Sequence, residues 1–134
     1  MLASAPSLAA LSFFIAGVLK LASLDAFGRS VRTWDLLSPA VMDLVTLAVP
    51  PLEVAVSLAW LMNLRRRLCA SLMFAMLLVL TLTYSAHLVF RQPPDCGCFG
   101  AIRLFEAHQE QAEFLIARNV VLAVLLLPGF VRRR

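Results

Sequence analysis

Charged residues are scarce in this sequence, where they make up 15% of the 134 residues. In soluble domains about a quarter of all residues are charged, so this composition excludes an ordinary soluble protein. Hydrophobic residues instead make up 61% of the chain, and its mean hydropathy is +0.86. We therefore expect an integral membrane protein, and the length predicts a single domain over residues 1–134.

Glycine is scarce as well, and the five glycines form no phosphate-binding loop. The sequence shows no internal repeat and no low-complexity segment. Its net charge of +4 forms no patch of the kind that binds nucleic acid. These absences argue against nucleotide and nucleic-acid partners and leave the lipid bilayer as the first partner that the sequence predicts.

Four apolar stretches approach or exceed the roughly 20 residues with which a helix crosses a bilayer. They are residues 8–24, 41–64, 68–90 and 114–131, and none contains more than two charged residues. Unpaired backbone groups are costly in lipid, so these stretches predict an all-α, integral membrane four-helix bundle. Residues 1–19 contain no Lys or Arg, so the first stretch lacks the basic start of a signal peptide and we expect it to be retained.

The segment between the first two stretches has an amphipathic pattern. Phe27, Val31, Trp34 and Leu37 recur at spacings of three and four residues, which predicts a helix with one apolar face. We expect this helix to anchor at the membrane interface, with docking of a partner as the alternative. Residues 102–113 show a weaker pattern of the same kind.

Clustered arginines predict the orientation. Residues 65–67 and 132–134 are all arginine, and an even number of spans places them on the same side as the N-terminus. The positive-inside rule makes this the cytoplasmic side of a bacterial inner membrane. Residues 95–100 (DCGCFG) are then expected in the oxidising periplasm. Cys69 is expected at the opposite side, as a small packing residue.

Cys96 and Cys98 are separated only by Gly97, which suits a turn. A disulfide between them would close almost no loop, so it would be a poor staple. A disulfide between residues so close in the chain is also expected to be strained. Strained, exposed disulfides are the labile, catalytic ones, so the pair predicts thiol–disulfide exchange. Two alternatives stay open: a soft metal ion held together with His87 or His108, and a structural or incidental pair.

Four ionisable residues inside the spans are further candidates, because such residues are costly in lipid and often functional. Lys20, His87 and Arg118 are expected near the outer ends of their helices. A neighbouring cation lowers the pKa of a cysteine thiol, and His87 could carry the proton. Glu53 is expected deeper, after two prolines (50–51) that should kink or interrupt the second span. The alternative is an ion-paired cluster that stabilises the bundle, with Lys20 reaching to the head groups.

Several of these segments together resemble the family of the methylamine-utilisation protein MauE, which is related to DoxX-like membrane proteins. The resemblance rests on Phe14, Gly17, Lys20, Leu21, residues 50–53, residues 95–100, Arg118 and Asn119. It implies a four-helix inner-membrane protein. It also implies a link to maturation of a periplasmic, disulfide-rich dehydrogenase subunit, together with a thioredoxin-like partner.

Two functions follow as hypotheses. In the first, Cys96 and Cys98 are catalytic, exchange disulfides with the thioredoxin-like protein or a client redox enzyme, and are supported by the four ionisable residues. In the second, the protein is a non-catalytic membrane subunit or assembly factor whose cysteine pair is structural or binds metal. The sequence leaves open whether a quinone is a cofactor that takes up the electrons.

Overall fold

The structure is a computed structural model that describes residues 5–34, 38–90 and 108–131, and among their side chains those outside 108–112 and 131. In these ranges the chain forms five α-helices: α1 (Ala5–Ala22), α2 (Leu24–Arg32), α3 (Pro39–Leu61), α4 (Arg66–Phe90) and α5 (His108–Val131). All but α2 are long and apolar enough to cross a membrane. The prediction of an all-α membrane bundle is therefore confirmed.

The four long helices close into a ring. The most extensive contact is between α1 and α3, α4 packs on both α3 and α5, and α5 returns to α1. Inside the ring lies an apolar core whose largest members include Phe13, Trp60, Met73 and Leu126. Leucine and valine side chains are exposed on the outer faces, as lipid-facing surfaces require.

The first arginine cluster lies where the turn after α3 leads into α4. Asn63 and Arg65 have positive φ angles of 63° and 39°, a region in which Asn is among the more tolerant residues. Arg66 then begins α4, and its guanidinium carbon lies 5.4 Å from the centre of the Trp60 ring. The turn is therefore tied to the core beneath it by a contact between a cation and an aromatic ring.

Helices α1 and α3 approach each other closely at Gly17. A Cβ atom at this position would lie 2.8 Å from Val54 Cγ2 and 3.1 Å from the carbonyl oxygen of Pro50. Small residues allow such close approach between membrane helices. Helix α3 runs through residues 50 and 51. Of the predicted kink or interruption at these prolines, the interruption is therefore wrong. Neighbouring helices that pack around a membrane helix allow it to tolerate proline.

The predicted amphipathic helix is present as α2. Its buried residues Phe27 and Val31 pack with Met42 and Val45 near the beginning of α3. Helix α2 therefore packs against the first turns of α3. Leu37 and most of the weaker segment 102–113 lie outside the described residues, and the end of that segment belongs to α5.

Candidate functional site

A buried ion pair joins the first and third helices. Lys20 Nζ donates to both carboxylate oxygens of Glu53, at 2.7 and 2.8 Å. The two residues are only 4% and 6% exposed. Lys20 Nζ also lies 5.3 Å from the centre of the Phe27 ring. The ion pairing that the sequence offered as one alternative is thus observed for these two residues.

Lys20 lies in the last turn of α1, as predicted, but the ion pair that it forms with Glu53 is buried inside the bundle. Glu53 follows the start of α3 at Pro39 by 14 residues, or about 20 Å of helix at 1.5 Å per residue. Gly17, one turn before Lys20, packs against Pro50 and Glu53 and so fixes this depth. The alternative in which Lys20 reaches to the head groups is not observed, because its amine is bonded to Glu53 and buried.

A second polar connection links α5 to α4. Arg118 donates from Nε and Nη2 to Asn119 Oδ1, at 3.2 and 2.8 Å. Asn119 Nδ2 donates to Thr81 Oγ1 at 2.8 Å, and Thr81 Oγ1 donates to the Leu77 carbonyl at 2.7 Å. Arg118 also interacts electrostatically with Glu53. We call Lys20, Glu53, Thr81, Arg118 and Asn119 the polar layer.

Asn119 and Thr81 were not identified as site residues from the sequence. Asn119 is 2% exposed, and its side chain is the centre of the connection between α4 and α5. A buried amide in an apolar helix is a signal in itself, because such a group needs hydrogen-bonding partners. Its partner Thr81 has no comparable signal, since threonines in membrane helices often bond only to their own backbone.

His87 lies apart from the polar layer, in a cluster of rings toward the end of α4. Its ring centre is 5.7 Å from that of Trp34, and the Trp34 and Tyr84 ring centres are 5.8 Å apart. Leu115 of α5 completes this buried cluster. The structure therefore divides the four ionisable candidates: Lys20, Glu53 and Arg118 interact, whereas His87 belongs to the aromatic cluster.

The two cysteines of the DCGCFG motif lie outside the described residues, in the connection between α4 and α5. Cys69 is described: it is buried in the core and donates to the Leu64 carbonyl at 3.3 Å. Within the described ranges, no three His, Cys, Asp or Glu side chains group as a metal site would require.

A cavity of about 480 Å³ lies beside the polar layer. It is bounded by α1, α2, α3, α4 and α5, and its lining is mainly hydrocarbon. Lys20, Glu53 and Arg118 contribute its charged wall, while Phe27 and Trp34 contribute aromatic rings. The arrangement brings ionised groups to the edge of an apolar space inside the bundle.

The fold and the polar layer define a four-helix integral membrane protein with buried charges at its centre. The sequence model of the family described as methylamine utilisation protein MauE matches residues 1–132, nearly the whole chain. The chain therefore belongs to the MauE family of membrane proteins, and the resemblance seen in the sequence is confirmed. Comparison with curated proteins and with solved structures gives no match.

Proposed function

We propose that this MauE-family protein is a thiol–disulfide exchange factor of the bacterial inner membrane, acting as a single transmembrane domain. Cys96 and Cys98 would react on the periplasmic side with a thioredoxin-like protein or with a client redox enzyme. The N- and C-termini would lie in the cytoplasm. The role would be maturation of a periplasmic enzyme, in line with the methylamine-utilisation family to which the chain belongs.

The chemistry requires only the cysteine pair and a visiting disulfide. One thiolate attacks a sulfur of the partner's disulfide, so that a mixed disulfide forms and a partner thiolate leaves. The second cysteine then attacks the mixed disulfide. The products are a Cys96–Cys98 disulfide and a reduced partner, and the reverse sequence oxidises the partner instead.

The observation that carries the proposal is the position of the motif in the helix order. Helix α4 begins beside the arginine-rich turn and ends at Phe90, and the connection that contains Cys96 and Cys98 follows from there. If the arginine-rich turn is cytoplasmic, four spans assign this connection to the periplasm. A pair in that compartment can alternate between thiol and disulfide forms.

Trapping of mixed disulfides tests the proposal. We expect Cys96→Ser or Cys98→Ser to leave one cysteine that stays covalently joined to its partner, which appears as a shifted band on a non-reducing gel. Cys69→Ser is the matched control, because Cys69 is buried in the core and should leave both trapping and client maturation unchanged. Full client maturation in both motif variants would rule out the exchange function.

One observation favours the second function, a non-catalytic assembly factor. Lys20 and Glu53 are bonded to each other, and Arg118 is bonded to Asn119, as expected for residues that stabilise a bundle. Under this function the polar layer serves assembly, the cysteine pair is structural or binds metal, and neither Cys96→Ser nor Cys98→Ser would trap a mixed disulfide.

A further inference from the structure

We propose that the cavity beside the polar layer binds the head group of a lipid-soluble quinone. The volume of about 480 Å³ falls within the range of roughly 300–1,000 Å³ that is typical of small-molecule sites. Such a volume accommodates a substituted ring and the first part of its tail. Binding as such needs nothing from the cysteine pair.

The cavity is accessible from the hydrocarbon layer. Val41 of α3 and Leu72 and Val79 of α4 line it, and all three side chains are exposed although their helices are long enough to span a membrane. A ligand that dissolves in lipid can therefore enter sideways, between α3 and α4. A water-soluble substrate has no comparable advantage at this opening.

The charged wall fits a ligand that interconverts between carbonyl and hydroxyl. Lys20 carries three N–H donors, and two of them are bonded to Glu53 in the described structure. The third can donate to a quinone carbonyl, while a Glu53 oxygen can accept from a quinol hydroxyl. A donor and an acceptor side by side thus suit both redox forms of the ring.

Aromatic side chains favour a ring over a simple acyl chain. Phe13, Phe27 and Trp34 line the cavity and offer faces or edges to a flat ligand. An acyl chain gains nothing from a buried ion pair, since its end carries no hydrogen-bonding group. The same wall therefore discriminates against the bulk lipid that surrounds the protein.

The use of this site as an electron acceptor rests on the proposed function. Oxidation of two cysteine thiols to a disulfide releases two electrons and two protons, and one quinone takes up both to become a quinol. The two proposals fail separately. We expect Cys96→Ser to abolish exchange and to leave quinone binding intact, because binding does not need the cysteine pair.

Tryptophan fluorescence can test the binding, because the sequence has two tryptophans and only Trp34 lines the cavity. The full chain is placed in lipid nanodiscs and titrated with a short-tailed benzoquinone, which quenches tryptophan. In a Trp60→Phe variant we expect saturable quenching of Trp34. In the matched Trp34→Phe variant, quenching of Trp60 should rise without saturation, as for collisions in the bilayer.

Two matched substitutions on α4 locate the effect. Ala75 lines the cavity and Leu78 does not, and both are exposed on the same helix. In the Trp60→Phe background, we expect Ala75→Phe to fill the cavity and to raise the apparent Kd by about tenfold or more, equivalent to about 1.4 kcal/mol. Leu78→Phe should leave it unchanged. Equal affinities in the two variants, or equally effective displacement by oleate, would overturn the quinone site.

Discussion

Removing one partner of the Lys20–Glu53 ion pair should destabilise the bundle strongly, and by unequal amounts for the two partners. Breaking a buried ion pair from one side typically costs about 3–5 kcal/mol of unfolding free energy. Lys20→Met leaves Glu53 with Arg118, which also interacts with it. Glu53→Gln leaves Lys20 and Arg118 as two cations that repel each other.

We therefore expect a loss of about 3 kcal/mol for Lys20→Met and of about 5 kcal/mol for Glu53→Gln. The double variant Lys20→Met/Glu53→Gln removes the repulsion between Lys20 and Arg118. It should recover at least about 2 kcal/mol relative to Glu53→Gln, because residues in contact are not additive.

Reversible unfolding of the purified protein by a denaturing detergent measures these free energies in a constant lipid mixture. Leu78→Met serves as the control, since this side chain is exposed on the outer face of α4 and its replacement should change little. A loss below about 1 kcal/mol for both single variants, a value typical of exposed pairs, would contradict the buried pair. So would a double variant as unstable as Glu53→Gln.

Two further predictions concern the contacts between helices. Gly17→Val should lower the free energy of unfolding by about 1–3 kcal/mol through overpacking, because a Cβ at this position meets Val54 and the Pro50 carbonyl. Ala22 is exposed on the same helix, so Ala22→Val should be nearly neutral in the same unfolding assay. Asn119→Leu should cost about 2 kcal/mol, since it removes the bond to Thr81 and the acceptor of Arg118. An equal stability of Gly17→Val and Ala22→Val, or an unchanged stability of Asn119→Leu, would refute the respective contact.

The spans and the amphipathic helix were predictable because each leaves a local pattern. Hydropathy alone identified the four long helices, and the spacing of Phe27 and Val31 identified the buried face of α2. The ends were less predictable. The first span was expected to reach residue 24, whereas α1 ends at Ala22 and α2 begins two residues later.

The depth of the ion pair could not be read from the sequence, because it depends on how α1 is aligned against α3. That alignment is fixed by the contact of Gly17 with residues on α3, which a position along one helix does not reveal. The hydrogen bond between Asn119 and Thr81 joins residues 38 positions apart and is equally non-local. The cavity has no sequence pattern at all, since it is the space that five helices leave between them.

Labelling of cysteines in intact cells tests the central proposal most directly. A membrane-impermeant maleimide is applied to cells that carry the Cys69→Ser variant, before and after treatment with a reductant. We expect Cys96 and Cys98 to be labelled completely in reduced, intact cells. Protection of both thiols until the inner membrane is permeabilised would contradict a periplasmic exchange site.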